Sequence, residues 1–216
     1  MEVHVPLFYD KEVKIYKTSC GPFDNNAYLI VSPQTGEGII IDAPMGPGEL
    51  LEEAQGTQVK AILITHNHQD HLAGLKEMVD ATGAPVKAHS EDAATLPVSP
   101  NGLVKDGDVI TVGTIEMKVI HTPGHTPGSI CYLVGQHLFS GDTLFPGGPG
   151  RSRSPESLQQ IIKSITEKLY LLPDDTFLLP GHGENSILGV SKEEYQIFAE
   201  RSHPANLSGD VLWLES

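Results

Sequence analysis

Six consecutive residues constrain the fold of this chain more than any other stretch. They read His66-Asn67-His68-Gln69-Asp70-His71 and directly follow an apolar run at residues 61–65. That run is short and rich in branched side chains, so it predicts a buried β-strand. In an extended segment leaving the strand, residues 66, 68 and 70 project to the same side, and His71 opens a helical pattern. We therefore expect a strand-to-helix junction that holds four potential ligands over one pocket.

The residue types in this hexapeptide indicate a metal site. Imidazole and carboxylate groups are the ligands that first-row divalent metals prefer. One or two histidines would fit an ordinary polar turn, but three histidines and an aspartate after a core strand favour metal binding. The spacing differs from the H-E-x-x-H of zinc proteases, whose histidines lie one helical turn apart.

Composition limits the partners and the location of the protein. The 216 residues can form one sizeable core, and no apolar run approaches the roughly 18–20 residues of a membrane span. A formal charge of −14 disfavours nucleic acid, whose binding depends on neutralising phosphates. Residues 1–6 lack the pattern of a secretory signal, and Cys20 and Cys131 form no C-x-x-C pair. We expect a cytoplasmic protein with two reduced thiols and no membrane contact.

Apolar periodicity and turn signals predict elements along the whole chain. The predicted strands span residues 12–18, 27–31, 37–41, 59–65, 85–88, 108–112, 114–120, 130–134, 137–140 and 176–179. The predicted helices span residues 49–55, 71–82 and 155–170, and a last helix runs from a capping box at Ser191 and Glu194 to about Arg201. Strands that alternate with single helices indicate sheets covered by helices, in one αββα domain over residues 1–216.

Three later segments repeat the arrangement of the hexapeptide, with a polar residue in a turn just after an apolar run. They place His125 after residues 117–120, Asp142 after residues 138–141 and His182 after residues 177–181. A single histidine or aspartate in such a turn is ordinary turn chemistry. Together with the hexapeptide, these residues give five histidines and two aspartates, which is what two adjacent metal ions need.

In this order, the residues resemble the metallo-β-lactamase-fold hydrolases, and the resemblance covers essentially the whole chain. Residues 122–129 (TPGHTPGS) and 140–145 (SGDTLF) look like the glyoxalase II, or hydroxyacylglutathione hydrolase, branch, which also contains persulfide dioxygenases. The resemblance implies an α/β fold in which two sheets lie between two layers of helices, a four-layer αββα sandwich.

The resemblance also implies a site for two divalent metal ions, with zinc expected and iron or manganese as alternatives. The first ion would be held by His66, His68 and His125, the second by Asp70, His71 and His182, and Asp142 would bridge them. Asp42 resembles an acid that orients a ligand, although an ordinary turn residue explains it nearly as well. The histidines that match no ligand position are His4, His89, His121, His137 and His203, with His89 as a candidate pocket wall.

The implied chemistry is hydrolysis by a hydroxide that two metals share. Asp142 would bridge the metals, and Asp70 would both bind one metal and fix the orientation of the nucleophile. A thioester suits such a site because a thiolate needs little protonation to leave. The expected function is therefore a glyoxalase II-like thioester hydrolase, with a small-molecule thioester or related acyl compound as its substrate. The alternatives are a persulfide dioxygenase that holds one iron through His66, His125 and Asp142, and a lactonase or β-lactamase-type hydrolase.

Two departures from glyoxalase II concern glutathione. Members of that family carry a C-terminal helical domain that helps to hold glutathione, whereas residues 183–216 have room for one helix and a tail. Residues 183–185 also replace an aromatic-containing segment of the family. Arg151 and Arg153 lie where relatives place a basic residue near the glutathione carboxylates, although a solvated pair before a helix explains them as well. A non-catalytic metal scaffold is the remaining alternative, but structural zinc sites are usually closed and rich in cysteine.

Overall fold

Two mixed β-sheets face each other in the computed structural model, which describes residues 7–216. The first sheet has seven strands in chain order: β1 (Phe8–Tyr9), β2 (Lys14–Cys20), β3 (Asn25–Val31), β4 (Glu37–Ile41), β5 (Gln58–Leu63), β6 (Val86–His89) and β7 (Gly102–Val104). The expectations for residues 1–6, including His4 and the lack of a signal segment, lie outside the described residues.

Strand direction changes within the first sheet. β1 to β4 pair antiparallel, whereas β4 to β7 pair parallel. Parallel neighbours need a crossover connection. Here the crossovers contain α1 (Gly48–Glu53), α2 (Leu75–Thr82) and the short helix α3 (Ser90–Ala93). The parallel strands point their carboxyl ends to the same edge, and the hexapeptide leaves β5 at that edge.

The second sheet comes from the following half of the chain. Its strand order is β15 (Ser186–Ile187), β14 (Phe177–Pro180), β11 (His137–Gly141), β10 (Ile130–Val134), β9 (Ile115–His121) and β8 (Val109–Val112). A small hairpin joins β12 (Leu144–Phe145) to β13 (Gly148–Pro149). The helices of this half are α4 (Pro155–Lys168), which crosses over between the parallel strands β11 and β14, and α5 (Leu188–Ala199).

Three apolar layers separate the four layers of secondary structure. Between the sheets, side chains from both meet, as in the edge-to-face contact of Tyr28 with Phe139, whose ring centroids are 5.0 Å apart. The outer face of the first sheet packs on Leu50 of α1 and Met78 of α2. The outer face of the second sheet packs on α4 and α5. This arrangement confirms the expected four-layer αββα sandwich of the α/β class.

Several predicted boundaries were wrong, and one of them lies within the hexapeptide. The helix predicted from residue 71 begins at Leu75, because residues 69–71 form a separate 3₁₀ turn. The last helix begins at Leu188, so the predicted cap Ser191 lies inside it, where its buried hydroxyl lies 2.9 Å from Tyr170 Oη. The helix predicted to reach residue 170 ends at Lys168. The predictions missed α3, β7 and the short strands at the sheet edges.

The described residues contain no helix with the length and apolar character needed to cross a bilayer. Both cysteines are free and buried, and burial raises the pKa of each thiol to about 11. The thiols are therefore protonated at neutral pH and poorly reactive.

Trp213 anchors the C-terminal segment to the outer layer of the second sheet. Its side chain is fully buried, and its ring lies 5.2 Å from that of Tyr195 and 4.8 Å from that of Phe198. We expect Trp213→Ala to lower the free energy of unfolding by about 3–5 kcal/mol, measured by urea denaturation. Leu214→Ala is the matched control, since that side chain is 46% exposed and its loss should cost less than about 0.5 kcal/mol. Equal effects of the two changes would contradict this assignment.

Candidate metal centre

The seven predicted metal ligands converge at one edge of the sandwich. Each lies in a loop that follows the carboxyl end of a strand, and one of these strands belongs to the first sheet and three belong to the second. The hexapeptide follows β5, His125 follows β9, Asp142 follows β11 and His182 follows β14. Because the two sheets face each other, these loops meet above the core between them. The structure therefore brings together all seven residues that the sequence predicted.

Three imidazoles form the first cluster, which consists of His66, His68 and His125. Nδ1 of His68 lies 3.1 Å from Nε2 of His66 and 2.9 Å from Nε2 of His125. All three nitrogens lie within 4.8 Å of one another, so they can hold one metal ion. The rings of His66 and His125 are buried and that of His68 is half-buried.

The second cluster consists of Asp70, His71 and His182. Nε2 of His182 lies 3.1 Å from Nε2 of His71 and 3.2 Å from Oδ2 of Asp70. Asp70 therefore points away from His66 and His68. An extended segment would instead have placed all three side chains on the same side. The reason is the 3₁₀ turn at Gln69–His71, which rotates the Asp70 side chain to the neighbouring cluster.

Asp142 lies between the two clusters. Its Oδ2 is 3.5 Å from Nε2 of both His125 and His182, and its Oδ1 is 3.3 Å from Nε2 of His71. The Oδ1 atom is buried and has no hydrogen-bond partner of acceptable geometry within residues 7–216. A buried carboxylate oxygen without a partner is costly, and a metal cation would supply the missing interaction. The residues present therefore fit bound metal.

Two glycines make room for Asp142, one beside its carboxylate and one beside its backbone carbonyl. A β-carbon at Gly181 would overlap Oδ1 of Asp142 and lie 2.7 Å from Cε1 of His71. A β-carbon at Gly150 would overlap the Asp142 backbone carbonyl. Close approach of the backbone thus explains both glycines without any need for flexibility.

In four of the five ligand histidines, the ring nitrogen that faces away from the centre is held by a neighbouring oxygen. These partners are Thr65 Oγ1 for His66 at 3.0 Å, Asp42 Oδ2 for His71 at 2.9 Å, Arg151 O for His125 at 2.9 Å and Phe23 O for His182 at 2.7 Å. A backbone carbonyl only accepts, so Nδ1 of His125 and of His182 carries the proton. Nε2 of His125 then presents a lone pair to the centre, and Nε2 of His182 does so once a bound cation displaces its proton, as metal ligation requires.

Asp42 supports His71 from a fully buried position. Its carboxylate accepts hydrogen bonds from the Thr65 backbone N–H at 2.8 Å, from the Thr65 hydroxyl at 2.7 Å and from His71 Nδ1. Its φ of 60° is a left-handed conformation that aspartate tolerates better than most residues. These contacts favour the ligand-orienting role over that of an ordinary turn residue.

The two clusters differ in electrostatics. Burial lowers the pKa of His66, His68 and His125, which keeps these imidazoles neutral and able to bind a cation. Burial also acts to lower the pKa of His182, but hydrogen bonds to Asp142 and Asp70 outweigh it and raise this pKa to about 10. The same hydrogen bond from His182 holds the pKa of Asp70 well below its usual range. The second cluster thus carries the carboxylate charge.

Arg151 and Arg153 lie in different surroundings. An Nη atom of Arg153 lies 3.1 Å from Nε2 of His68, so its guanidinium borders the centre. The Arg151 side chain is 73% exposed and lies 3.8 Å from Asp210, while its backbone carbonyl holds His125. Of the two predicted substrate-binding side chains, the structure places only that of Arg153 beside the clusters.

A cleft of about 720 Å³ opens beside His125 and Arg153. Its wall includes His89 and His121, whose rings stack with centroids 4.0 Å apart, and the acidic side chains of Glu91 and Glu156. This position agrees with the expectation that His89 is a pocket-wall residue.

The other side of the centre is more apolar. The Phe145 ring lies 6.2 Å from that of His182, and the Phe23 and Met45 side chains are 65% and 57% exposed. Sequence reasoning missed Phe23 and also Asn25, whose amide donates to Asp70 Oδ2 at 2.9 Å. Both residues lie in or next to the β2–β3 turn, which carries no ligand motif that could have marked them.

The family comparison agrees with this geometry. The family model described as the metallo-beta-lactamase superfamily matches residues 20–182, a range that includes all seven residues of the centre. This chain belongs to the metallo-beta-lactamase superfamily. His125 and Asp142 thus lie inside the matched region together with the whole hexapeptide, as the order of the motifs predicted.

Relatives within the metallo-beta-lactamase superfamily agree with the expected glyoxalase II-like branch. The hydroxyacylglutathione hydrolase of Polaromonas sp. is 40% identical over 166 residues, which cover 74% of this chain and 62% of the relative. The chain thus spans less than two thirds of that relative.

Two solved structures match more of the chain than this relative does. ETHE1 from Myxococcus xanthus has a TM-score of 0.76 at 28% identity and covers 87% of this chain and 85% of its own. The protein TTHA1623, solved in a di-iron-bound form, has a TM-score of 0.71 at 30% identity, with coverages of 82% and 96%.

Proposed function

We propose that this protein is a thioester hydrolase with a centre of two divalent metal ions, zinc being the expected metal. The first cluster, His66, His68 and His125, would hold one ion. The second cluster, Asp70, His71 and His182, would hold the other. The observation that carries the proposal is the buried, unpartnered oxygen of Asp142 at the meeting point of the two clusters.

Bound metal ions of this kind lower the pKa of water from about 15.7 to about 7 and polarise a carbonyl oxygen. Asp70 can orient the attacking water, because its carboxylate is held by Asn25 and His182 and remains ionised at neutral pH. Hydrolysis of a thioester needs no strong proton donor, since a thiolate is a good leaving group. The side chains around the centre therefore suffice for this reaction class.

The surroundings of the centre suit a substrate with two unlike parts. The exposed side chains of Phe23 and Met45 offer an apolar surface for an acyl group on the side of His182. The cleft beside His125 offers polar and charged groups for the thiol carrier, with Arg153 at its inner end. The similarity to a hydroxyacylglutathione hydrolase supports a thioester as the scissile bond.

A persulfide dioxygenase is the second candidate, and the likeness to ETHE1 from Myxococcus xanthus favours it. Such an enzyme would need one iron, held by His66, His125 and Asp142, and would consume oxygen. The residues of the centre are common to both candidates, so the distinction needs an assay.

Two assays on one preparation, with its metals quantified, test the proposal. We expect close to two metal ions per chain and turnover of S-lactoylglutathione, or of a simpler acyl thioester, at the same rate with and without oxygen. Asp142→Ala serves as the inactive control in both assays. Oxygen uptake with glutathione persulfide, a single iron and no thioester turnover would establish the dioxygenase and overturn the hydrolase.

A further inference from the structure

Asp92 is a buried carboxylate outside the two clusters. It lies in α3, directly after β6, and is 1% exposed. Its sequence neighbourhood carries no ligand motif, and it matches no predicted ligand position. Burial of a carboxylate is costly unless hydrogen bonds compensate for the lost water. The groups that donate to Asp92 therefore indicate what it holds in place.

The donors to Asp92 come from two loops of the metal centre. Its Oδ2 accepts from the Asn67 backbone N–H at 3.1 Å and from the Thr126 hydroxyl at 2.7 Å. Its Oδ1 accepts from the Gly128 backbone N–H at 2.9 Å. All three are neutral donors, so the carboxylate connects the two loops through directional bonds.

These contacts flank every residue of the first cluster. Asn67 lies between His66 and His68, and Thr126 directly follows His125. The packing is also close, because a β-carbon at Gly128 would lie 2.6 Å from Cγ of Asp92. The hexapeptide loop leaves the first sheet and the His125 loop leaves the second, so Asp92 fixes the distance between ligands from both sheets.

We propose that Asp92 is a positioning residue for the metal ion of the first cluster. Its carboxylate bonds to no ligand side chain. It holds the backbone of the two loops whose histidines would bind the same ion. Asp42 does the corresponding work for the second cluster through His71. The proposal rests on the proposed two-ion centre and is independent of the substrate.

Titration of the metal-free protein with Co²⁺ tests this role, because cobalt absorption reports the ligands of each ion. We expect Asp92→Ala to bind one ion with wild-type affinity and the other about 10–100-fold more weakly. Its spectrum should resemble that of His68→Ala, which lacks a ligand of the first cluster, and not that of Asp70→Ala. Thr126→Val removes one of the three bonds while keeping the side-chain shape, and should cause a smaller loss at the same ion.

Trp213→Ala is the control for destabilisation, since its side chain packs on Tyr195 and Phe198 rather than on a ligand, and the change should leave both cobalt affinities unchanged. Three results would overturn the role of Asp92: wild-type affinity for both ions, equal weakening of both, or a spectrum like that of Asp70→Ala. If Asp92→Ala does not fold, the cobalt affinities and spectrum of Thr126→Val test the role of Asp92 by the same three results. If the wild-type protein binds only one ion, the two-ion centre is refuted. The role of Asp92 is then supported if Asp92→Ala lowers the affinity for that ion and refuted if it does not.

Discussion

Asp142→Ala should reduce the metal content from close to two ions per chain to well below one. The Asp142 carboxylate lies within 3.5 Å of ligand nitrogens from both clusters, so its loss removes a ligand from each ion. We expect thioester hydrolysis to fall by at least about a thousandfold, the equivalent of roughly 4 kcal/mol in the barrier. Metal analysis after dialysis and initial rates under saturating substrate measure the two effects.

Two controls separate loss of metal from loss of fold in this variant. Asp210→Ala removes the same charge from a side chain that is 79% exposed, and should leave metal content and rate unchanged. With a chelator present, Asp142→Ala should still unfold in one cooperative urea transition, as the metal-free wild type does, so that its loss of metal is not a loss of fold. Retention of both ions by Asp142→Ala would refute the bridging role.

Asp42→Asn should abolish ligation by His71 while the fold remains intact. The Asn side chain keeps the shape of Asp42, and one oxygen can still accept from the Thr65 N–H. Its amide nitrogen, however, replaces the oxygen that accepts from His71 Nδ1. The amide then donates to Nδ1 and moves the ring proton to Nε2, the atom that faces the centre. The wrong tautomer cannot bind metal, and we expect about 10–100-fold weaker binding of the second ion.

Asp42→Ala provides the comparison for this prediction. It leaves buried donors of Thr65 and His71 without acceptors, so we expect both weaker metal binding and a loss of about 3 kcal/mol or more in the free energy of unfolding. Asp42→Asn should lose less than half of that stability. Cobalt titration and urea denaturation measure the two properties. Full retention of the second ion by Asp42→Asn would show that Asp42 does not set the tautomer of His71.

The candidate site was predictable from the sequence because its residues follow strands that have clear signals. Apolar runs closed by Pro-Gly or Gly turns marked the ends of β9, β11 and β14, and His125, Asp142 and His182 come directly after them. The family resemblance then supplied the grouping into two clusters. The bounds of β4 and β10 were predicted without error, since turn residues close both ends of each strand.

The errors have physical causes that local sequence does not contain. Asp70 turns away from His68 because three residues form a 3₁₀ turn, which is too short for any periodicity. Ser191 and Glu194 match a capping box, yet the Tyr170 hydroxyl binds Ser191 and the helix continues upstream of it. Asp92 lies in a four-residue helix, and its three partners come from loops that only the tertiary structure brings near.

The division of the ligands between the two sheets has a consequence for how the protein holds together. The first sheet comes from residues 8–104 and the second from residues 109–187. Each cluster takes two ligands from the first half of the chain and one from the second half. Bound metal therefore cross-links the two halves of the chain. At a free metal concentration 1,000 times the dissociation constant, each bound ion raises the free energy of unfolding by about 4 kcal/mol. When the metal is removed, the contacts between the two sheets should therefore open before the strands within either sheet separate.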